Sequence, residues 1–594
     1  MSIAGKLMLL EKLVSIPLYA VVGFTSSWLV YASTRGGILS LWAVNPRSGE
    51  DRLLVPGPVH GYARPRHPDT KVIYIRDVAR GRELHRIFST DLQRGGEEVF
   101  VDAPPMRIFG LAYDGRRLAF SGATMSGMAL YLAEESGEPC ELLRPEGIMT
   151  PTDVSDRYIV GSGILSGDPR SMELFIYDLK EGRLRVYTPR RGSVNKAPRL
   201  YGSRMLFESN YEGSSRLYVY DLGEDRLEKP VMEGSDYAEY SPVEHVDYGW
   251  TSDGRIWAVG VREGRSRAFV DGYLVPSPGG FIGSMDVSPG GEAYYSLSTL
   301  TSPPKIYAAD LGGSARVVID NELPAELASR LGESRHIWYA SDDGLSIPAF
   351  VVESRAAAKP GPTIVYVHGG PWGAVTDSWS MMIAGLVVSG YHVVAPNFRG
   401  STGYGEKYRL LDIGDPGGGD LMDVVAARHW AVETGLADKV AIMGYSYGGY
   451  MTYLALGRKP DAWDAGVAGA GIVDWAEMYG LSDALFKKFI ETLFDGYREN
   501  LMHERSPIRY VDRIRAPLCI IHPQNDTRTP LKPVLRYMAK LLEKNKLFEA
   551  HILPNVGHRI ISMDDMTRLL LPAIMFLDRY LCGKEAGSLM AFSL

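Results

Sequence analysis

Val440-Ala-Ile-Met-Gly-Tyr-Ser-Tyr-Gly-Gly-Tyr-Met-Thr-Tyr-Leu-Ala-Leu456 is the stretch that decides the fold. Its first four residues are apolar, as a buried strand requires, and its last eight read as a helix. Between them Gly444-Tyr445-Ser446-Tyr447-Gly448 has the G-x-S-x-G spacing of a nucleophile elbow. Side chains two residues either side of the serine would collide in so sharp a turn, hence the glycines. The turn lifts the Ser446 hydroxyl above a sheet, with a helix N-terminus behind it to favour negative charge. Strand, turn and helix in this order predict an α/β-hydrolase domain with Ser446 as nucleophile.

A serine hydroxyl is a poor nucleophile near neutral pH, so a histidine must take its proton and an acid must orient that histidine. In α/β-hydrolases the chain order is serine, acid, histidine. His551 and His558 lie far enough downstream to leave room for an acid. His551 falls inside the apolar strand 548–553, where it reads as packed or edge-facing. His558 follows Pro554-Asn-Val-Gly557 in a loop at that strand's carboxyl end, where the catalytic groups of open sheets gather, and is the candidate base. Asp526 occupies the corresponding loop after strand 518–522 and is the candidate acid. Asp474, Asp483, Asp495 and Asp512 sit in helical or surface contexts and read as capping or solvated carboxylates; His522 reads as structural. An oxyanion hole needs the N–H after the nucleophile, that of Tyr447, and one from an early loop. His368-Gly369-Gly370-Pro371 after strand 363–367 supplies that loop, with Gly370 as the expected donor.

Around this centre, apolar runs at 363–368, 391–395, 440–443 and 518–522 alternate with helix candidates at 421–433, 450–457 and 531–545. Such alternation predicts a mostly parallel sheet with helices on both faces. The N-terminal half has a different period. Seven apolar hairpins recur: 28–34 with 39–44, 72–77 with 83–92, 118–123 with 128–133, 158–162 with 174–179, 205–209 with 217–222, 256–261 with 268–271, and 293–298 with 306–311. Their spacing of roughly 40–50 residues is that of one propeller blade, so a seven-bladed β-propeller is expected in preference to paired sandwiches. The expected organisation is a helical extension over 1–21, a propeller over 22–325 and an α/β-hydrolase domain over 326–594.

The chain has 594 residues, 45% of them hydrophobic and 23% charged, an ordinary globular composition. A formal charge of −7 without a long basic run argues against nucleic acid as a partner. Cys140, Cys519 and Cys582 cannot make a disulfide framework, which suits a reducing, cytoplasmic setting. Residues 13–32 are apolar but interrupted by Pro17, Gly23, Thr25, Ser26 and Ser27, so a short helix running into buried strands is expected, not a membrane span.

Taken with the hairpins, His368-Gly-Gly-Pro371, Asn397-Phe-Arg-Gly-Ser-Thr-Gly-Tyr-Gly405, Gly444-Tyr-Ser-Tyr-Gly-Gly-Tyr450, Asp526-x-Arg528 and Gly557-His558 resemble the prolyl oligopeptidase family of serine peptidases. Residues 473–479 and 522–533 are most similar to the archaeal-type acylaminoacyl peptidases of that family. The resemblance implies release of N-acylated amino acids from short peptides, with esterase activity from the same acyl-enzyme chemistry. It implies a propeller that limits substrate size, no metal or organic cofactor, packing of residues 1–20 on the hydrolase domain, and a homodimer. It also implies that Arg528 binds a substrate carbonyl, and that Trp475, Phe486 and Phe489 line a large apolar pocket. Arg399 reads as structural. Other activities stay open: a dipeptidyl peptidase, which would need an acidic pair from the propeller, a prolyl endopeptidase, or a general carboxylesterase. Glu97-Glu98 and Glu134-Glu135 read as solvated faces.

Overall fold

Each of the seven sequence hairpins forms the second and third strands of a four-stranded antiparallel blade in the computed structural model, which describes residues 3–583. These middle strands have neighbours on both faces and are apolar for that reason. Trp28–Ser33, Arg204–Ser209 and Ile256–Arg262 are buried along nearly their whole length. Outer strands meet water, and Arg183–Tyr187 is exposed at four of its five positions. One long strand, Gly95–Tyr113, serves two blades: its first part is the outer strand of blade two and its second part the inner strand of blade three.

The inner strands carry the polar groups. In six blades the inner strand slips by one residue against its neighbour, at Val21/Gly23, Phe109/Leu111, Pro151/Asp153, Lys196/Arg199, His245/Asp247 and Ile282/Ser284. A bulge of this kind re-aims the side chains around it. The bore they surround encloses about 630 Å³, and ion pairs join its walls: Arg64 with Asp247, Arg66 with Asp153, and Arg199 with Asp247 at 3.6 Å. Among the described residues no strand is exchanged to close the ring. Blade one meets blade seven through the N–H groups of Val21 and Phe24, which donate to Ser284 Oγ and the Asp286 carboxylate, each at 2.7 Å.

The hydrolase domain is built on an eight-stranded sheet in the order Leu331–Ala340, Ser346–Ser354, His392–Pro396, Gly361–Val367, Ala437–Tyr445, Ala465–Gly469, Leu518–Pro523 and Phe548–Leu553. Its first two strands run antiparallel to their neighbours and the other six are mutually parallel. Successive residues face opposite sides. Val365 and Val367 join the core under helices Gly419–Glu433 and Leu531–Glu543, while Ile364 joins the opposite core with Met381–Val388 and Met563–Leu581.

Helix Ile3–Val14 places Leu9, Leu10 and Leu13 in that second core, and Lys6 pairs with Asp578 of the C-terminal helix. The Tyr391 hydroxyl donates to the same carboxylate at 2.5 Å. The N-terminal segment therefore lies against the hydrolase sheet before the chain enters the propeller. Pro17 cannot continue a helix, and the first blade begins at Tyr19. Tyr19, Ala20 and Val21, expected in the helical extension, are blade residues. The apolar run 13–32 is shared between the end of this helix and two buried strands. Among the described residues no helix is long and apolar enough to cross a membrane.

Candidate active site

Ser446 caps helix Tyr447–Arg458 with φ 60° and ψ −117°, a strained conformation for a residue with a Cβ. The flanking glycines are forced by contact. A Cβ on Gly448 would lie 2.0 Å from the Val367 carbonyl oxygen, and one on Gly444 would lie 2.4 Å from the Gly448 carbonyl carbon. The Ser446 N–H donates to the Gly469 carbonyl at 2.9 Å, which pins the turn to the next strand.

The three residues expected from the sequence meet here. Ser446 Oγ lies 2.9 Å from His558 Nε2, and His558 Nδ1 lies 2.7 Å from Asp526 Oδ2. A carboxylate can only accept, so Nδ1 carries the hydrogen and Nε2 is left to receive the serine proton. Asp526 also accepts from the N–H groups of Arg528 and Thr529 and from Thr529 Oγ1, each at 2.9 Å. Burial alone would raise its pKa, but His558 and these donors outweigh burial, and the carboxylate is held below its ordinary value. The Tyr445 hydroxyl donates to the His558 carbonyl at 2.8 Å, tying the histidine loop back to the elbow.

Tyr447 is the first residue of its helix, so its N–H has no carbonyl behind it. The Gly369-Gly370 loop stands opposite: a Cβ on Gly369 would come within 3.4 Å of Ser446 Cβ, and Gly370 adopts φ +133°. His368 braces this loop. Burial lowers its pKa to about 4, so the ring is neutral, and it stacks on Phe398 with 4.3 Å between centroids. Its Nδ1–H donates to the Gly369 carbonyl at 2.8 Å, leaving Nε2 for Ser401 Oγ at 2.8 Å.

Asp412 and Asp420 lie beside the Gly369-Gly370 loop and the elbow, reached by Trp372 and Tyr447. Asp412 Oδ1 accepts from Trp372 Nε1 at 3.1 Å while its Oδ2 has no partner among the described residues; Asp420 accepts from the Tyr447 hydroxyl at 2.6 Å. Burial, then the neighbouring Asp420, push the Asp412 pKa from 3.8 to about 8. The folded state thus holds this proton more tightly than the unfolded chain. Its stabilising contribution is full below pH ~4 and lost as pH rises through about 8. Asp412→Asn, always neutral, should melt with the parent protein near pH 4 and several degrees above it at pH 9. Equal melting temperatures at pH 9 would contradict a proton held by Asp412.

Sequence reasoning missed what the propeller contributes. Glu83, buried in the turn between strands Lys71–Asp77 and His85–Asp91, pairs with Arg528 and with Arg107. Arg528 Nε donates to Glu83 at 2.8 Å; Arg107 also reaches Asp483 and Thr527 Oγ1, at 2.5 and 2.9 Å. Gly81 of the same turn packs on Gly557, where a Cβ would lie 1.9 Å from the Gly81 carbonyl oxygen, and Asn525 Nδ2 donates to the Arg80 carbonyl at 2.7 Å. One propeller turn therefore holds the two loops that carry Asp526 and His558. Residues 79–84 look like any hairpin turn in the sequence, and only the docking of the two domains gives them this place.

The expected pocket residues divide. Phe486 lies under the guanidinium groups of Arg107 and Arg528, at 5.0 and 5.6 Å, and Phe489 meets Trp372 with 5.4 Å between centroids. Both are half-buried and flank the site. Trp475 is wholly buried against Tyr450 and Phe494 and serves as core beneath the site, not as an open wall, because its helix turns that face inward. Asp474 and Asp483 cap helices Trp475–Leu481 and Ala484–Leu493. Arg399 is held by Asp423 through Nε and Nη2 at 2.9 and 2.7 Å, a structural clamp. Cys519, Glu549 and His551 have ligand-type atoms within 4.8 Å of one another. Burial raises the Cys519 pKa and Arg579 already pairs with Glu549 at 2.8 Å, so these groups fit a hydrogen-bonded set better than a metal centre.

Fold and site together define a serine hydrolase whose catalytic domain carries a propeller over the nucleophile. Two family models match the chain, that of the acylamino-acid-releasing enzyme-like N-terminal domain over residues 30–307 and that of the prolyl oligopeptidase family over residues 378–584. The protein belongs to the prolyl oligopeptidase family of serine peptidases. Acylamino-acid-releasing enzyme of Rattus norvegicus is 29% identical over 230 residues, which are 37% of this chain and 31% of that protein. Dipeptidyl aminopeptidase BIII of Pseudoxanthomonas mexicana is 33% identical over 250 residues, 40% of this chain and 35% of that protein. The matched region thus spans about a third of the length of these curated relatives. Among solved structures, the uncomplexed acylaminoacyl peptidase of Pyrococcus horikoshii superposes with a TM-score of 0.71 at 19% identity, covering 97% of this chain and 98% of that one.

Proposed function

We propose that this peptidase releases N-acylated amino acids from the amino end of short peptides through an acyl-enzyme on Ser446. His558 takes the serine proton as Oγ attacks the scissile carbonyl, and Asp526 stabilises the imidazolium that forms. The N–H groups of Tyr447 and Gly370 receive the oxyanion. His558 then gives its proton to the leaving amine, and water repeats the sequence on the acyl-enzyme. Arg528 uses Nε and Nη2 on Glu83, so Nη1 is the donor left for a substrate carbonyl.

One observation carries the preference for a blocked amino end. A free α-ammonium group would require an uncommitted carboxylate, and those the site offers are taken: Glu83 by Arg107 and Arg528, Asp483 by Arg107, Asp526 by His558. A second reading, a dipeptidyl peptidase, is supported by the Pseudoxanthomonas likeness; prolyl endopeptidase and carboxylesterase activities share the same chemistry. The peptidase readings are tested by comparing an N-acetylated amino-acid anilide with the free-amine anilide and a Gly-Pro anilide. The acetylated substrate should be favoured at least ~10-fold, the scale of one unpaired buried charge. Preference for the free amine or for Gly-Pro would move the protein to a sister activity.

A further inference from the structure

Asp412 ends the helical turn Leu410–Asp412 and is only 1% exposed. A buried carboxylate normally gathers several donors or a cation. Among the described residues this side chain has one partner, the Trp372 indole N–H on Oδ1, and Oδ2 has none. Gly400 presses on it: a Cβ there would lie 2.6 Å from the Asp412 carboxyl carbon.

The charged groups on the surrounding elements are committed elsewhere. Arg409 bonds Glu406 at 2.7 Å, Arg399 bonds Asp423 and Asp343 at 2.7 and 2.9 Å, and Arg505 bonds Asp415 at 2.7 Å. Arg170 of blade four bonds Asp495 at 2.8 Å, and Arg498 stands against Gly414. His368 is neutral and serves Ser401. None of these cations pairs with Asp412 among the described residues, whereas Asp420 and Asp423 add negative charge on the neighbouring helix. Burial also raises the pKa of Asp420, to about 6, so between about 6 and 8 the pair keeps its proton on Asp412.

What these two carboxyl groups hold matters to the reaction. Trp372 closes the turn of the oxyanion loop, where a Cβ on Gly370 would lie 2.6 Å from the Trp372 nitrogen. Its indole also meets Phe489 and lies under Arg409, at 5.4 and 5.6 Å. Tyr447, the other expected oxyanion donor, gives its hydroxyl to Asp420. Both donor segments are thus tied to one pair of acids. With Asp412 neutral the pair carries at most one charge. With Asp412 ionised, two buried carboxylates repel each other beside the groups that must receive an oxyanion, and their charge opposes the one the transition state develops.

We propose that Asp412 is a positioning residue for acyl transfer: as a neutral acid it holds the oxyanion loop through Trp372, and on ionising it turns the site off. The inference rests on the acyl-enzyme reading above, whichever amino end is preferred. It adds an alkaline limit that the triad does not supply, since His558 must lose a proton to act as base and so sets only the acid limb.

The test is the pH profile of kcat/KM for N-acetyl-phenylalanine p-nitroanilide, which has no ionisable group, with circular dichroism confirming the fold at each pH. In the unmodified protein the value at pH 9 should be about a tenth of that at pH 7. In Asp412→Asn the same ratio should be close to one. Trp372→Phe keeps a ring but removes the donor that favours the ionised acid, so its alkaline limb should move to higher pH. A merely structural Asp412 would lower the whole profile and leave the limb in place. A flat profile from pH 7 to 9 in the unmodified protein overturns the inference, as does an unchanged limb in Asp412→Asn. If that variant does not fold, Trp372→Phe decides: an upward shift supports the inference, and no shift or a downward one overturns it. If the anilide is not cleaved but p-nitrophenyl acetate is, the N-acyl reading fails and the ester reads the same limb. If neither is cleaved, the functional reading fails and takes the inference with it.

Discussion

Ser446→Ala should lower turnover of an N-acetylated amino-acid anilide by about 10⁶, because serine, histidine and carboxylate act as one unit and removing the nucleophile costs nearly as much as removing all three. What remains should be the ~10³-fold contribution of the oxyanion donors and binding alone. The fold should not suffer. Ser446 lends the helix no side-chain cap, and its main-chain bond to Gly469 is independent of the hydroxyl. The measurement is single-turnover hydrolysis beside a thermal melt. Substantial hydrolysis by a correctly folded variant would remove Ser446 from the reaction.

The second large effect is expected at the domain contact. Glu83→Ala should destabilise the protein by about 3–5 kcal/mol, the usual consequence of deleting one partner of a buried ion pair. Side-chain exposure is 5% for Glu83 and 7% for Arg107, so water cannot replace the lost carboxylate, and two guanidinium groups are left facing each other. Activity should fall with stability, since Arg528 is two residues from Asp526 and loses its anchor. Burial works against ionisation of Glu83, but Arg528 and Arg107 overcome it and hold its pKa far below the usual 4.5. The stabilising contribution of Glu83 is therefore fully present above its unfolded value and fades only as pH falls below ~4. The melting difference between parent and variant should stay constant from pH 5 to 8. Equal melting temperatures across that range would show that the bridge contributes nothing.

How much could be read in advance depended on what each segment faces. The middle strands of every blade were legible because burial on both sides demands unbroken apolar sequence, as in residues 205–209 and 217–222. The inner strands were not. Residues such as Asp153, Arg199 and Asp247 face the bore, so polar groups break the pattern that marks a strand. Within the site, Ser446, Asp526 and His558 were legible since each follows a strand in a loop of characteristic composition. Trp475 was misread as a pocket wall because an aromatic residue at helical spacing gives no sign of which way its helix is turned. Glu83 and Arg107 gave no signal at all. Their meaning comes from partners as distant in sequence as 445 residues, the separation of Glu83 from Arg528.

By itself the sequence determined the elbow, the order of the catalytic groups, the parallel sheet that carries them and the sevenfold repeat in front. Each of these is local: a turn too tight for a Cβ, a period of two or 3.6 residues, or a repeat of one blade. Tertiary structure alone decided what surrounds the serine. Docking the propeller on the hydrolase sheet commits Glu83 to Arg528 and presses Gly81 onto Gly557. Charge pairing across a domain contact depends on distances in space, which no spacing along the chain encodes.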